Sequence, residues 1–141
     1  MINNDFNLKG IKYTLPSNIH TLQYIEKTMI ATVNSYGYKE IRLPMLEKTS
    51  LFTRTLGSSS DVIEKEMFTF IDKDKNSLTL RPEGTAGCTK AMINSGLLRN
   101  NQKHKVWYIG QMFRREKPQM GRLRQFSQFG IEAYGFKDYD I

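Results

Sequence analysis

Apolar side chains recur at three- and four-residue spacing along the first third of the chain. Ile19, Leu22, Ile25, Met29 and Val33 predict an amphipathic helix over about residues 18–36. Pro16 with Ser17 or Asn18 supplies its start signal and Gly37 its stop. The period then shortens to two in YKEIRLPM, where Ile41, Leu43 and Met45 alternate with polar neighbours. That pattern predicts a strand with one buried face, ending around Pro44. A short helical turn over about residues 50–56, closed by Gly57, and a loop over residues 58–61 are expected next.

Two β-prone runs, EMFTFID and SLTLRP, flank the polar DKDKN and predict a hairpin. Thr85 is placed to cap a helix that runs to about Asn94 and ends at Gly96. The last third reads as strand, polar loop, strand: VWYIGQMFR, then RREKPQMGRL with Pro118 and Gly121, then RQFSQFGIEAYG. Hairpin-type connections between helices and strands point to an α+β fold, an antiparallel sheet flanked by helices. The connections are mostly too short for the crossovers of a doubly wound parallel sheet. No repeat, low-complexity run or linker divides residues 1–141, so one structural unit is expected.

Composition narrows the function. A 39% hydrophobic and 25% charged chain is that of a folded globular protein. No stretch approaches the roughly 20 apolar residues of a membrane span. The segment from Met1 to Lys9 lacks the apolar run of a signal peptide, so a cytoplasmic location and no membrane partner are expected. The single Cys88, with His20 and His104, is too small a set for a zinc site, and no protein-held metal is expected. The net charge of +7 favours polyanion partners. Its distribution is more telling: RREKPQMGRLR, residues 114–124, carries five basic residues and one acidic.

Three constellations could carry chemistry. On the final strand, Phe129, Ile131 and Ala133 share a parity that reads as the core face. The other parity carries Arg124, Gln128, Gly130 and Glu132, with the amide and carboxylate about 7 Å apart and a glycine between them leaving room for a ligand. In the preceding loop, Arg114, Arg115, Lys117, Arg122 and Arg124 can gather on a polyphosphate, and Glu116 can accept a hydrogen bond from an amino group such as that of adenine. At Arg81-Pro82-Glu83-Gly84-Thr85 a carboxylate and a hydroxyl at a strand end could hold an ammonium group. Each also has a plain structural reading: a solvated sheet face, a solvated charge run, and a helix cap with a turn. Neither GxxxxGK[ST] nor GxGxxG occurs, so a P-loop or Rossmann nucleotide site is unsupported.

Taken together, these segments resemble a class II aminoacyl-tRNA synthetase, and specifically the histidyl-tRNA synthetase family. SYGYKEIRLPMLEKTSLF, about residues 35–52, resembles motif 1, the dimer-interface helix and strand. TLRPEGTAGC resembles the family's histidine-binding segment, which falls at residues 80–88 within it. WYIGQMFRREKPQMGRLRQFSQFGIEAYG, about residues 107–135, resembles motif 2, the strand–loop–strand of the ATP site. The family's N-terminal Arg-Gly pair stands here as Lys9-Gly10, and Leu123 occupies a loop position that is usually aromatic.

The resemblance implies roles by position. Glu83, Thr85 and Gln128 would hold the substrate ammonium group, Gly84 would be a further histidine-binding residue, and Glu132 would accept a hydrogen bond from the imidazole. Arg114 would bridge the histidine carboxylate and the ATP α-phosphate as the catalytic cation. Glu116 would contact adenine and Arg122 the outer phosphates. The implied reaction is histidine activation with ATP, Mg2+ accompanying the nucleotide, then transfer to tRNA(His) by a homodimer. The family continues into a second histidine-binding segment, motif 3 and an anticodon-binding domain, so the chain is expected to be an incomplete catalytic domain that does not charge tRNA alone. A synthetase-like regulatory paralogue of the histidine-biosynthetic ATP phosphoribosyltransferase is the alternative. A third class is a nucleic-acid-binding module using the basic loop alone, with steeply salt-dependent tRNA binding.

Overall fold

The computed structural model describes residues 7–55 and 66–137; the expected loop at 58–61 and the stop at Gly57 lie outside them. Helix α1 spans Pro16–Ser35, with the proline in its first turn, where a missing N–H costs nothing. It ends where Gly37 turns to φ +80. Strands β1 (Lys39–Glu40) and β2 (Leu46–Lys48) follow, then α2 (Thr49–Thr55), the hairpin β3 (Phe68–Ile71) and β4 (Ser77–Leu80), and α3 (Thr85–Asn94). The long strands β5 (His104–Phe113) and β6 (Gln125–Tyr134) complete the order.

Among the described residues the strands form two three-stranded sheets, β1-β5-β6 and β2-β4-β3. Pairing is antiparallel except for the short β1, which runs parallel to β5. Of the expected strand over YKEIRLPM only Lys39–Glu40 pairs, with β5, and the chain enters the second sheet just after it, at Leu46. Pro44 has no N–H to continue a ladder, and the residues around it cross from one sheet to the other. Ile41 and Leu43 do reach the core, while Met45 is exposed.

Arg81 fastens this crossing. It is only 7% exposed, and its Nε donates to the Gln111 carbonyl at 2.8 Å while Nη1 donates to the Leu43 carbonyl at 2.7 Å. A Cβ on Gly110 would lie 2.2 Å from its Nη2, so β5 has a glycine where the guanidinium passes. Burial lowers the Arg81 pKa, yet three carbonyls, including that of Pro44, favour its charged form. On the second sheet, buried Thr79 bonds Thr49 and Thr69 through its hydroxyl, at 2.8 and 3.0 Å. The hairpin turn closes through the Asp72 carboxylate, which accepts from the Asn76 backbone and side chain; these bonds lower its pKa.

The main core consists of Cys88, Met92, Val106, Tyr108 and Met112, with Phe126 and Tyr134 packed against it. This corrects the reading of β6. Phe126 and Tyr134 share the parity of Gln128, Gly130 and Glu132, so the polar-bearing face is the one that packs towards the core. Ile131 is 51% exposed and Ala133 is exposed as well; Phe129 stacks on Trp107 at 5.7 Å. Alternation of apolar residues could not reveal this, because α3 covers the even face and supplies the missing apolar surface. On the opposite face, Trp107 donates to the Asn34 side chain of α1 at 3.1 Å.

Burial pushes the Cys88 thiol and the Tyr108 and Tyr134 phenols up from their ordinary values. Each group keeps its proton in the folded chain at a pH where the unfolded chain has lost it. Stability is thus fully present below about pH 8.5 and falls as pH rises through the folded values. The fall reaches up to about 1.4 kcal/mol per pH unit for each retained proton. Denaturant midpoints at pH 7, 9 and 11 should decline in that order, with Cys88 inert to thiol reagents until the chain unfolds; an unchanged midpoint at pH 11 contradicts this.

Candidate active site

Tyr108 organises the packed face of β5 and β6. In the strand register it lies opposite Gly130, with Gly110 opposite Gln128 and Val106 opposite Glu132. Its ring fills the space above Gly130, where a Cβ would lie 2.3 Å from Cζ. The same ring fills the space beside Gly84, where a Cβ would lie 2.1 Å from Cε2. The room left by Gly130 is therefore taken by Tyr108 and not held open for a ligand. Gly84 is buried against the same ring, which brings the start of α3 down onto the sheet.

This packing gathers the expected polar residues. The Tyr108 hydroxyl donates to Glu132 Oε1 at 3.4 Å and lies 3.5 Å from Thr85 Oγ1. Glu83 accepts from the backbone N–H groups of Thr85 and Ala86, at 2.5 and 2.9 Å. The N-cap residue is Gly84, the carboxylate of Glu83 before it satisfies the first-turn N–H groups, and Thr85, expected to be the cap, is instead the first helical residue and exposed. A carboxylate suits this place because it faces the positive end of α3. Gln128 lies two residues before Gly130 on the same face. Its Oε1 is buried without a hydrogen-bond partner among the described residues, a state costing about 1–3 kcal/mol that an N–H donor would relieve.

Beside this group, Arg114, Glu116, Arg122, Leu123 and Phe126 line a cleft of about 260 Å³. Arg114 Nε donates to the Pro82 carbonyl at 2.9 Å, and its guanidinium carbon sits 5.1 Å from the centre of the Phe126 ring. One side of the fork is thereby anchored to the RPEGT segment, while the other faces the cleft. Glu116 lies between the two arginines, 3.8 Å from Arg114 Nη1 and 3.5 Å from Arg122 Nη1. The loop beyond narrows into a two-residue turn, with Gln119 and Arg122 exchanging backbone hydrogen bonds across Met120 and Gly121.

Arg114 thus stands between the two clusters, attached to the chain one residue before Glu83. Arg124, expected on the polar face of β6, precedes the strand, and its guanidinium turns to the carbonyls of Glu116 and Lys9. Arg115 presents its backbone N–H to the Glu66 carbonyl. Tyr108 and Phe126 were missed by sequence reasoning. The available signal was parity: Tyr108 alternates with Val106 and Met112, and Phe126 with Tyr134. Among the described residues no group of three or more His, Cys, Asp or Glu gathers to hold a metal ion.

Known proteins resemble this chain over most of its length. The family model described as histidyl-tRNA synthetase matches residues 10–140. A histidine–tRNA ligase from Legionella pneumophila (strain Paris) is 54% identical over 128 residues, covering 91% of this chain and 30% of that protein. One from Buchnera aphidicola (subsp. Baizongia pistaciae) is 52% identical over 135 residues, covering 96% and 32%. The chain spans about a third of the length of these curated relatives. Among solved structures, the apo histidyl-tRNA synthetase of S. aureus superposes with a TM-score of 0.71 at 38% identity, over 90% of this chain and 28% of that one. A Bacillus halodurans chain titled as an ATP phosphoribosyltransferase regulatory subunit/histidyl-tRNA synthetase superposes with a TM-score of 0.73 at 26% identity, over 89% and 31%. With the family model matching from Gly10 almost to the last residue, the chain belongs to the histidyl-tRNA synthetase family.

Proposed function

We propose that this chain supplies the first histidine-binding segment and half of the ATP site of a class II histidine–tRNA ligase. The observation that carries the reading is the position of Arg114, hydrogen-bonded to Pro82 beside the Glu83–Thr85 group and open to the arginine-lined cleft. Two substrates seated in these clusters meet at one guanidinium. Glu83, Thr85 and Gln128 surround the ammonium group, with the unpartnered Gln128 oxygen as an acceptor. Glu132, steadied by the Tyr108 hydroxyl, accepts from the imidazole.

The triphosphate replaces Glu116 as the partner of Arg122, which frees the Glu116 carboxylate for the adenine amino group. Mg2+ would accompany ATP as part of that substrate and would supply charge neutralisation to the phosphates. The histidine carboxylate attacks the α-phosphorus, pyrophosphate leaves, and Arg114 stabilises the charge that accumulates between them. Transfer of the histidyl group to tRNA(His) follows. Exposed Tyr24, Ile25 and Met29 on α1 support a homodimer, since a monomer rarely leaves such a stripe in water. No helix among the described residues is long and apolar enough to cross a membrane, and a translation enzyme of this kind acts in the cytoplasm.

The test is a whole ligase in which residues 1–141 replace the matching third of the Legionella enzyme. We expect histidine-dependent exchange of pyrophosphate into ATP within about tenfold of the parent, allowing about 1.4 kcal/mol for the new junctions. The 141-residue chain alone should show no exchange at a normal rate. A folded chimera that binds histidine without exchanging pyrophosphate favours the second reading, a regulatory subunit, which the Bacillus likeness keeps in view.

A further inference from the structure

The N-terminal turn is packed against the cleft loop in a way that the substrate contacts do not require. Ile11 N–H closes a turn onto the Leu8 carbonyl, and Gly10 sits in it at φ +83. The Gly10 carbonyl accepts from the backbone N–H of Arg124 at 2.7 Å and of Gln125 at 3.4 Å. A Cβ on Gly10 would lie 2.9 Å from Pro118 Cγ and 3.0 Å from Arg124 Cγ. The turn thus touches both limbs of the loop.

Arg124 passes this contact onward through its carbonyl, Nε and Nη1. Its carbonyl accepts from Arg114 N–H at 2.9 Å, Nε donates to the Glu116 carbonyl at 3.2 Å, and Nη1 donates to the Lys9 carbonyl at 3.4 Å. Arg124 does not line the cleft. Its charge serves backbone carbonyls that hold Glu116 and the N-terminal turn at fixed positions. A loop rich in like charges would otherwise spread apart, and closing it in advance removes an ordering cost from ligand binding.

We propose that Gly10 and Arg124 form a clamp that positions Arg114 and Glu116 for the nucleotide. Neither clamp residue touches the substrate; both are positioning residues. The proposal rests on the nucleotide reading of the cleft, and its test separates the two.

Gly10→Val places a β-branched residue at a positive φ that such residues avoid and drives its side chain into Pro118. Arg124→Lys keeps the charge but loses the fork that reaches Glu116 and Lys9 together. In the 141-residue chain, native-state hydrogen exchange at the N–H groups of Arg114 and Arg124 should quicken by about tenfold in Gly10→Val, the scale of one or two net hydrogen bonds. Exchange in the β3–β4 hairpin should stay unchanged. ATP binding, measured by calorimetry, should weaken by about tenfold in both variants, with histidine binding within about twofold of the unsubstituted chain.

Unchanged protection at Arg114 and Arg124 in Gly10→Val overturns the clamp. Wild-type ATP affinity in Arg124→Lys also overturns it, because charge alone would then explain Arg124. If the unsubstituted chain binds no ATP, the nucleotide reading falls and the clamp's link to the nucleotide falls with it, while the exchange data still decide whether the turn holds the loop.

Discussion

Arg114→Gln, placed in the chimeric ligase, should lower histidine-dependent pyrophosphate exchange by about a thousandfold while leaving the thermal midpoint nearly unchanged. The size follows from the role proposed for the side chain. A preorganised donor aimed at charge that develops in the transition state is worth about a hundred- to a thousandfold in rate. Arg114 offers two such donors and a full charge. Its Nε is committed to the Pro82 carbonyl and its face to Phe126, so the guanidinium does not have to be ordered when the substrates arrive.

Glutamine is neutral, too short to reach past Phe126, and cannot present a fork to two oxygens of different groups. Arg114→Lys keeps the charge without the fork and should recover only part of the loss. The midpoint stays because the side chain is 39% exposed and its ion pair with Glu116 is long, and such pairs add about 0–1 kcal/mol at most. The expected pattern is a fall in kcat with little change in KM for histidine, as for an interaction made mainly in the transition state. A drop of less than about fivefold would falsify the role given to Arg114.

Arg114 also shows how much of the site could be read from the chain itself. The basic loop, the RPEGT segment and the strand with Gln128 and Glu132 were each visible as residue types at a spacing, and the hairpin and both long strands lie within a residue or two of expectation. Their convergence was not visible, because it depends on Arg114 reaching the Pro82 carbonyl across 32 residues. A pattern of period two tells that a strand has two faces, not which face a distant helix will cover. For β6 that ambiguity led to the wrong face, since the polar residues sit on the side that α3 and Tyr108 bury. The break in YKEIRLPM was hidden for a related reason. It is held by Arg81, whose carbonyl partners at Leu43 and Gln111 belong to segments with no local sign of meeting.

Gly130→Ala and Gly84→Ala should each cost about 3 kcal/mol of stability, at the upper end of what adding one methyl group to a packed interior costs. Both methyl groups would enter the Tyr108 ring, at 2.3 Å from Cζ and 2.1 Å from Cε2. The ring has nowhere to move: it is 3% exposed, and escape from one glycine presses it against the other. Gly121→Ala and Gly37→Ala separate this from backbone strain. Both have positive φ and nothing within 4 Å of a new Cβ, so each should cost only about 1–2 kcal/mol, the left-handed penalty alone. Gly130 and Gly84 have no positive φ, so their whole cost is steric.

Tyr108→Leu removes the obstacle while leaving a partly filled cavity, and it takes away the hydroxyl between Thr85 and Glu132. In that background Gly130→Ala fills space instead of overfilling it, and the two changes should couple favourably by about 1.5–3 kcal/mol in a double-mutant cycle. Strict additivity would mean that the strand shifts to admit the methyl group and that Tyr108 is not wedged. Histidine affinity distinguishes packing from function in the same set. The rescued double variant should regain stability yet still bind histidine weakly, because Glu132 has lost the hydroxyl that holds it. On the proposed reading of the site, the glycines matter to the substrate only through the tyrosine that they admit.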